Sequence, residues 1–473
     1  MTAAAFLLLK IEQAGPARAW LQEILRGELT TAEEIPREQR ERRHACLNTA
    51  FTWQGLKALG LDEKSLQTFP YEFRQGMAGR AHVLGDTGPG APEHWDFGGK
   101  RPGGPPPEDI HLLLMLYARS EDILRTMLSR QRERLVAQGF RELYCQRATH
   151  LREEKDGQIF FREHFGFRDS LSQPVIRGFM KPSRDSDEYD SPIAAGEFIL
   201  GHENEYQEKP LSPSVPAALD PQARLGPAEA PDRKDLGLNG TYLVLRKLEQ
   251  DVDGLQAFLE KNKALAPSGC GDDEKRKEWL KAKLLGRWPN GAALKPGQYE
   301  APDLGAQPPS NAFRYAQEDE GGLGCPVTSH VRRTNPRDAL APTPDLSLKV
   351  SRRHRILRRG IAYDTSREEG GPPSSGRGLI FIALNANIGR QFEFIQQSWM
   401  NNEKTGRLYN EQDPVASGHD RGMMTLPAKP LRRCVMNLQS FVTMKGGGYF
   451  FLPGVKALEF LAHLTPLAAR QDS

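Results

Sequence analysis

The sequence predicts a mixed fold of strands and helices in two similarly built halves, and three observations carry that expectation. The first is a recurring unit in which a short apolar strand runs into an amphipathic helix. It occurs as His111 to Ala118 before a helix over Ile123 to Ala137, as Thr241 to Arg246 before Val252 to Lys263, and as Gly378 to Leu384 before Gly389 to Trp399. The second is residues 207–235, rich in Pro and Ala and free of aromatics, which read as a linker or long crossing loop. The third is length: 473 residues exceed one ordinary core, because domains commonly hold roughly 100 to 200 residues. The units share a pattern of elements and no residue-level repeat. The expected division is therefore 1–206, a connection at 207–235, and 236–473.

Other elements follow from local signals. Pro16 to Leu29 reads as a short helix, and Arg37 to Leu59 as a longer one with Ala45, Leu47, Ala50, Phe51, Leu56 and Leu59 at mixed helical spacings. Gly60 supplies a stop for it. Residues 85–109 are crowded with Gly and Pro and have no sustained period, which predicts an extended surface excursion. Ser120 and Asp122 are suited to cap the helix that begins near Ile123. Two more excursions, about 265–275 and 365–377, decorate the surface and could shape an access channel.

Composition excludes several classes. The 64 Lys and Arg are nearly cancelled by 61 Asp and Glu, leaving a formal charge of +3 with no long basic block, so a nucleic-acid partner is not indicated. Five scattered cysteines without CxxC spacing argue against a disulfide framework and a zinc site, and fit a reducing compartment. The N-terminal MTAAAFLLLKIEQAG lacks a basic flank and soon reaches Glu12, which argues against a signal peptide. No stretch approaches the roughly 20 apolar residues of a membrane span. The expectation is a cytoplasmic protein without a membrane partner.

No phosphate cradle or dinucleotide fingerprint stands in a credible context, and HExxH, GxSxG and CxxCH are absent. Three polar segments embedded between apolar runs stand out instead: GFRDSLSQP (166–174), CPVTSHVRRTNPRD (325–338) and RRHRILRRGIAYD (352–364). In the second, an imidazole at His330 could hold a metal, while Arg332, Arg333 and Arg337 could neutralise an anionic cofactor with propionate groups. Cys325 is a rival ligand from the same segment, although a cysteine before proline more often simply packs. On the residues alone Asp169 reads as a cap for a turn, and Arg358 as one solvated charge among Arg352, Arg353, Arg355 and Arg359.

Taken together the segments carry more. GFRDS resembles the GxxDG motif of the dye-decolourising (DyP-type) haem peroxidases, and CPVTSHVRRTNPRD resembles the segment with their proximal haem histidine. NTAFTWQGLKALGL (48–61), FPYEFRQGM (69–77), EFILGHENEY (197–206), NGTYLVLRKLEQDV (239–252), GLIFIALNANIGRQFEFIQQSW (378–399) and FVTMKGGGYFFLPG (441–454) resemble further family segments in family order. The resemblance runs from about residue 45 to 455, and the extra loops match the longer, bacterial-type members.

The resemblance implies an α+β architecture of two ferredoxin-like domains with antiparallel sheets, and one haem b per chain held mainly by the C-terminal domain. His330 is then the proximal iron ligand, Asp169 the distal acid–base and Arg358 the distal arginine, with Arg359 the neighbouring alternative. Arg333, Arg337, Phe167, Ser170 and Leu384 are the further implied haem contacts. Ser170 stands where the motif has its final glycine. The group that accepts the proximal imidazole N–H is open among Asn385, Asn387, Asn437 and Gln439, none of them a carboxylate. Hydrogen peroxide would be the oxidant, and dyes, phenols and other aromatic donors the reductants. An aspartate base beside an arginine implies an acidic pH optimum. Large dyes would exchange electrons through a surface aromatic, with Tyr363, Trp399, Tyr409 and Tyr449 available. The resemblance also allows a homodimer. Competing readings are a haem carrier or sensor and a structural protein without cofactor; retention of His330, Asp169 and Arg358 weighs against the latter.

Overall fold

The computed structural model describes residues 1–32, 37–155, 157–179, 192–305, 307–340, 342–365, 376–418 and 421–464. The N-terminal half follows a β-α-β-β-α-β order. It comprises strand β1 (Ala3–Ile11), helix α1 (Ala14–Leu25), β2 (Ala45–Phe51), β3 (Leu112–Ala118), α2 (Glu121–Ala137) and β4 (Phe140–Thr149). A hairpin of β5 (Leu151–Lys155) and β6 (Gln158–Arg162) follows. The C-terminal half repeats the order with β7 (Thr241–Gln250), α3 (Val252–Asn262), β8 (Leu357–Asp364), β9 (Arg377–Asn385), a wide helix at 389–400, and β10 (Val442–Leu452).

The strands join in one antiparallel eight-stranded sheet ordered β8-β9-β7-β10-β2-β3-β1-β4. Each set of four has the ferredoxin-like arrangement, and the sets meet at the single pair Phe451 and Phe51. The sheet curves until its edge strands β4 and β8 touch. Its interior is a shared core in which Phe6, Leu8, Leu113 and Met115 of one half meet Leu243, Leu245, Ile380 and Ile382 of the other. The α+β expectation and the recurring strand–helix units agree with this architecture.

Sequence periodicity failed at Arg37 to Leu59. In place of one helix, Arg37–Arg42 forms a short helix, β2 follows, and only Trp53–Leu59 is helical again. Leu47, Thr49 and Phe51 are buried on alternate positions, so the segment has a period of two, and β3 pairs with it along its whole length. Thr52 then caps the final helix through the Gly55 N–H, and Gly60 ends it in a left-handed conformation at φ 108°.

Residues 85–109 are no surface excursion. Trp95 and Phe97 are buried, Asp96 donates its N–H to the Lys445 carbonyl, and a Cβ at Gly98 would sit 2.2 Å from the Gly447 oxygen. The glycine there permits backbone-to-backbone packing, a use of Gly that imitates loop composition. Residues 207–235 carry three short strands, Ser214–Pro216, Gly226–Pro227 and Arg233–Asp235, which pair with one another around the buried Val215. Most of the excursion expected at 365–377 lies outside the described residues. Cys270 and Ala266, within the other excursion, are buried under the C-terminal helices.

Candidate active site

The outer face of the C-terminal sheet forms the floor of a cavity of about 600 Å³. Strands alternate their side chains between faces, so Arg246, Leu248, Arg358, Gly360, Leu379 and Phe381 reach this cavity, whereas Lys247, Ile380 and Ile382 point into the shared core or its margin. The same alternation turns Arg359, an exposed residue paired with Ile382, away from the cavity and leaves Arg358 as the cavity arginine of the pair. It also overturns the expectation for Leu384. That residue packs against the interior core, and Leu379 and Phe381 line the cavity from the same strand.

His330 opens a short helix, α4 (His330–Thr334), above the cavity. Its Nδ1 lies 2.8 Å from Oδ2 of Asp413, a fully buried carboxylate. Because a carboxylate only accepts, Nδ1 carries a proton, and in the neutral ring Nε2 keeps the lone pair. The other Asp413 oxygen accepts the N–H groups of Val415 and Ala416, each at 2.9 Å. Burial would raise the Asp413 pKa, but the His330 charge and hydrogen bond, with those two N–H groups, hold it below the ordinary carboxylate value. The four amides considered for this place do not fill it. Asp413 carried no local signal beyond a self-capping D-P-V-A turn 83 residues from its partner.

Arg333 is not a cavity residue. Its guanidinium is buried and donates to the carbonyls of Trp399, Glu411 and Asn402 at 2.7, 2.9 and 2.6 Å, clamping the segment that leads to Asp413. Its fork matches three orphan carbonyls, which is why it turns away from the anion-binding role expected of it. Arg337 does line the cavity, with Nη1 on the carbonyls of Asn311 and Phe313. Cys325 lies outside the lining with Sγ 3.7 Å from the Gly286 carbonyl, and burial pushes its thiol pKa up, so it packs and does not compete as a ligand.

The opposite wall is the loop after β6. Phe167, Asp169 and Ser170 all line the cavity. Asp169 is tied by its N–H to the Phe161 carbonyl at 2.9 Å, and its Oδ1 accepts the Ser170 N–H at 2.6 Å. A Cβ at Gly360 would meet Asp169 Oδ2 at 3.7 Å, an ordinary contact distance, so the second oxygen lies beside the β8 backbone without crowding. Ser170 holds φ 63°, the left-handed region that glycine prefers, at a conformational cost of order 1 kcal/mol for serine. Arg358 donates Nη2 to the Leu171 carbonyl at 3.0 Å, and its N–H reaches Gln173 Oε1 at 3.1 Å, so one loop fixes both Asp169 and Arg358. Burial and then the charge of Arg355 lower the Arg358 pKa, and Asp169 acts in the opposite sense.

Two supports were missed from sequence. Glu163 accepts the N–H groups of Phe165 and Phe167 at 2.9 and 2.8 Å and the Gln250 amide, holding the loop in place while burial raises its own pKa. Arg287 donates to Ser172 Oγ and Asn311 Oδ1 at 2.9 and 2.6 Å, and burial brings its pKa down to about 10. Six arginines line the cavity (Arg168, Arg246, Arg287, Arg337, Arg355, Arg358) against four carboxylates (Asp86, Glu163, Asp169, Asp251), an excess of two positive charges.

No family model matches the chain. Among curated proteins it is 26% identical over 496 residues to a dye-decolorizing peroxidase of Mycena epipterygia, covering 97% of this chain and 83% of that protein. It is 31% identical over 323 residues to the multifunctional dye peroxidase DyP2 of an Amycolatopsis strain, covering 63% of this chain and 61% of that one. A solved dye-decolorizing peroxidase in complex with 2,6-dimethoxyphenol superposes with a TM-score of 0.76 at 23% identity, covering 98% of this chain and 96% of that chain. Fold and relatives together define a haem peroxidase that uses hydrogen peroxide. In sequence and in fold the chain is similar to the DyP-type peroxidases.

The cavity fits that cofactor on its own terms. An imidazole with one free nitrogen, apolar walls from Leu379, Phe381 and Phe392, and two surplus positive charges suit a flat macrocycle with two carboxylates and a single protein ligand. Among the described residues no cluster of three His, Cys, Asp or Glu side chains is placed to hold a bare metal ion.

Proposed function

We propose that this chain binds one haem b through His330, with Asp169 and Arg358 serving as the acid–base and the fixed cation for peroxide cleavage. The observation that carries the reading is the convergence of all three on one cavity, with the His330 ring set by Asp413 so that Nε2 is free. When bound, haem supplies an iron that accepts peroxide and two oxidising equivalents. The protein side of the reaction is proton handling. Asp169 Oδ2, the oxygen not engaged by Ser170, takes the peroxide proton and returns it to the departing oxygen, which leaves as water. Arg358 keeps its own proton and offsets the negative charge that develops there. Arg337, Phe167 and Ser170 are proposed as cofactor contacts from their places in the lining.

Electron donors in this reading are dyes and phenols, the compounds for which the relatives are named and which one of them holds in its complex. The five cysteines are all free, which supports a reducing, cytoplasmic setting. Among the described residues no helix is long and apolar enough to cross a membrane. Domain limits of 1–206 and 236–473 fit the two four-stranded sets, and the inserted segments support a place among the longer members; the bacterial attribution and a homodimeric assembly rest on the motif resemblance.

Two outcomes test this. Protein purified with haem supplied should show a Soret band that is lost in His330→Ala, and a Soret band of wild-type intensity in the variant would overturn the ligand assignment. Dye oxidation should rise from pH 7 towards pH 4, because a carboxylate base, ordinarily ionised above about pH 4, stays available where an imidazole would be protonated. A steady fall over that range with the haem spectrum intact would exclude the acidic optimum. A protein that retains haem but shows no spectral response to peroxide would be a carrier.

A further inference from the structure

The hairpin that delivers Asp169 to the cavity also builds an aromatic and cationic surface beside it. Phe160 on β6 is half-buried and Ile159 next to it is exposed. The guanidinium carbons of Arg162 and Arg168 each lie 5.2 Å from the Phe160 ring centroid. The two cations differ in their other partners. Arg162 is spent on structure: it pairs with Glu153 and donates to the carbonyls of Gly166 and Pro289. Arg168 is held by its backbone N–H, which reaches the Pro289 carbonyl at 3.0 Å, and by the Phe160 ring under its guanidinium. Among the described residues its side chain has no carboxylate and no hydrogen-bond acceptor.

That sets Arg168 apart within the cavity lining. Arg246 is paired with Asp86, Arg287 bonds Ser172 and Asn311, and Arg355 and Arg358 donate to the carbonyls of Ser172 and Leu171. Five donors on a planar cation that lines the cavity and packs against the Phe160 ring form a bidentate donor site for an oxyanion whose own ring can lie along Phe160. Arg162, bridged to Arg168 and also 5.2 Å from that ring, adds to the positive potential beside its pairing with Glu153.

We infer that Arg168 and Phe160 form a docking point for aromatic electron donors that carry a sulfonate or carboxylate, and that Arg168 sets the preference for anionic over uncharged donors. The inference rests on the peroxidase reading for its consequence in turnover, though docking itself can be measured without peroxide.

The test compares wild type with Arg168→Gln and Arg168→Lys, each checked for an unchanged Soret band. Donors are an anthraquinone sulfonate dye and the uncharged 2,6-dimethoxyphenol at low ionic strength. In Arg168→Gln the KM for the sulfonated dye should rise about threefold to tenfold, the scale of a partly exposed charge pair. The ratio of kcat/KM between dye and phenol should fall by the same factor. Arg168→Lys, which keeps the charge without the planar fork, should recover part of the ratio. Added salt should erode the wild-type preference and leave that of Arg168→Gln nearly flat. A ratio unchanged in Arg168→Gln, or an equal loss for both donors, overturns the proposal. Equilibrium binding of the dye without peroxide separates the two readings: binding that weakens in Arg168→Gln sustains the docking point even in a protein that does not turn over, and binding indifferent to residue 168 refutes it.

Discussion

Asp169→Asn should lower kcat/KM for hydrogen peroxide by about 10²- to 10⁴-fold, the usual contribution of a positioned acid–base. The substitution is nearly isosteric, so its amide oxygen can still accept the Ser170 N–H that orients the native carboxylate at 2.6 Å. The backbone tie from Asp169 to the Phe161 carbonyl is untouched, and Oδ2 is uncrowded at Gly360, where even a Cβ would stand 3.7 Å away. The cavity should therefore keep its shape and its cofactor, while the proton acceptor is gone. Stopped-flow mixing with peroxide, followed in the Soret region, reads the step directly. The loss should appear in the rate of the peroxide reaction, with an unchanged resting spectrum and an unchanged KM for the electron donor. Arg358→Leu should also slow the peroxide step, yet leave a residual rate that still depends on Asp169, because it removes charge stabilisation and keeps the base. A drop of less than tenfold in Asp169→Asn would remove Asp169 from the proton-transfer role.

What the sequence disclosed about this site, and what it hid, divides by the range of the interaction. Asp169, His330 and Arg358 each sit in a dense polar run whose neighbours declare an unusual local need, and all three reach the cavity. The strand–helix units were readable for the same reason: their apolar runs are long and the period is clear, as in β3 and β7. Failures arose where one residue type serves two purposes. Leu47 and Phe51, four residues apart, satisfy a helical spacing and a strand spacing at once, and only pairing with β3 decides between them. Glycines between 85 and 104 imitate a loop, yet Gly98 allows the chain to pass against the backbone of β10. Arg333 carries the charge expected of a cofactor contact and turns all three of its nitrogens to carbonyls that no sequence pattern reveals. Leu384 was misplaced by an odd number of residues along a strand, which is enough to move a side chain to the other face. Asp413 and Glu163 are acceptors for distant or backbone donors, a role without a motif.

Asp413 is also where a single-atom change should have the second large effect. In Asp413→Asn one side-chain oxygen can still receive the N–H groups of Val415 and Ala416, so the turn survives. The atom facing His330 at 2.8 Å then becomes an NH₂ group, a donor aimed at Nδ1. The imidazole must respond by accepting there, which moves its proton to Nε2, the nitrogen that has to be free to bind iron. Haem affinity should fall by about 10- to 100-fold, the range for loss of a carboxylate behind a ligating histidine. Transfer of haem to an excess of apomyoglobin measures this. The remaining holoprotein should have a higher reduction potential, because the ring no longer gains anionic character from the carboxylate. The apoprotein offers an independent check. The folded-state pKa of Asp413 is depressed, so the stability its ionised form contributes is complete above the ordinary carboxylate value of about 3.9 and is lost as the pH falls through the lower folded value. Unfolding midpoints in denaturant should therefore decline on acidification below about pH 4 in the wild type and decline less steeply in Asp413→Asn. Equal haem retention in the two proteins would show that Asp413 orients nothing that the iron requires, and would return the choice of His330 tautomer to the cofactor itself.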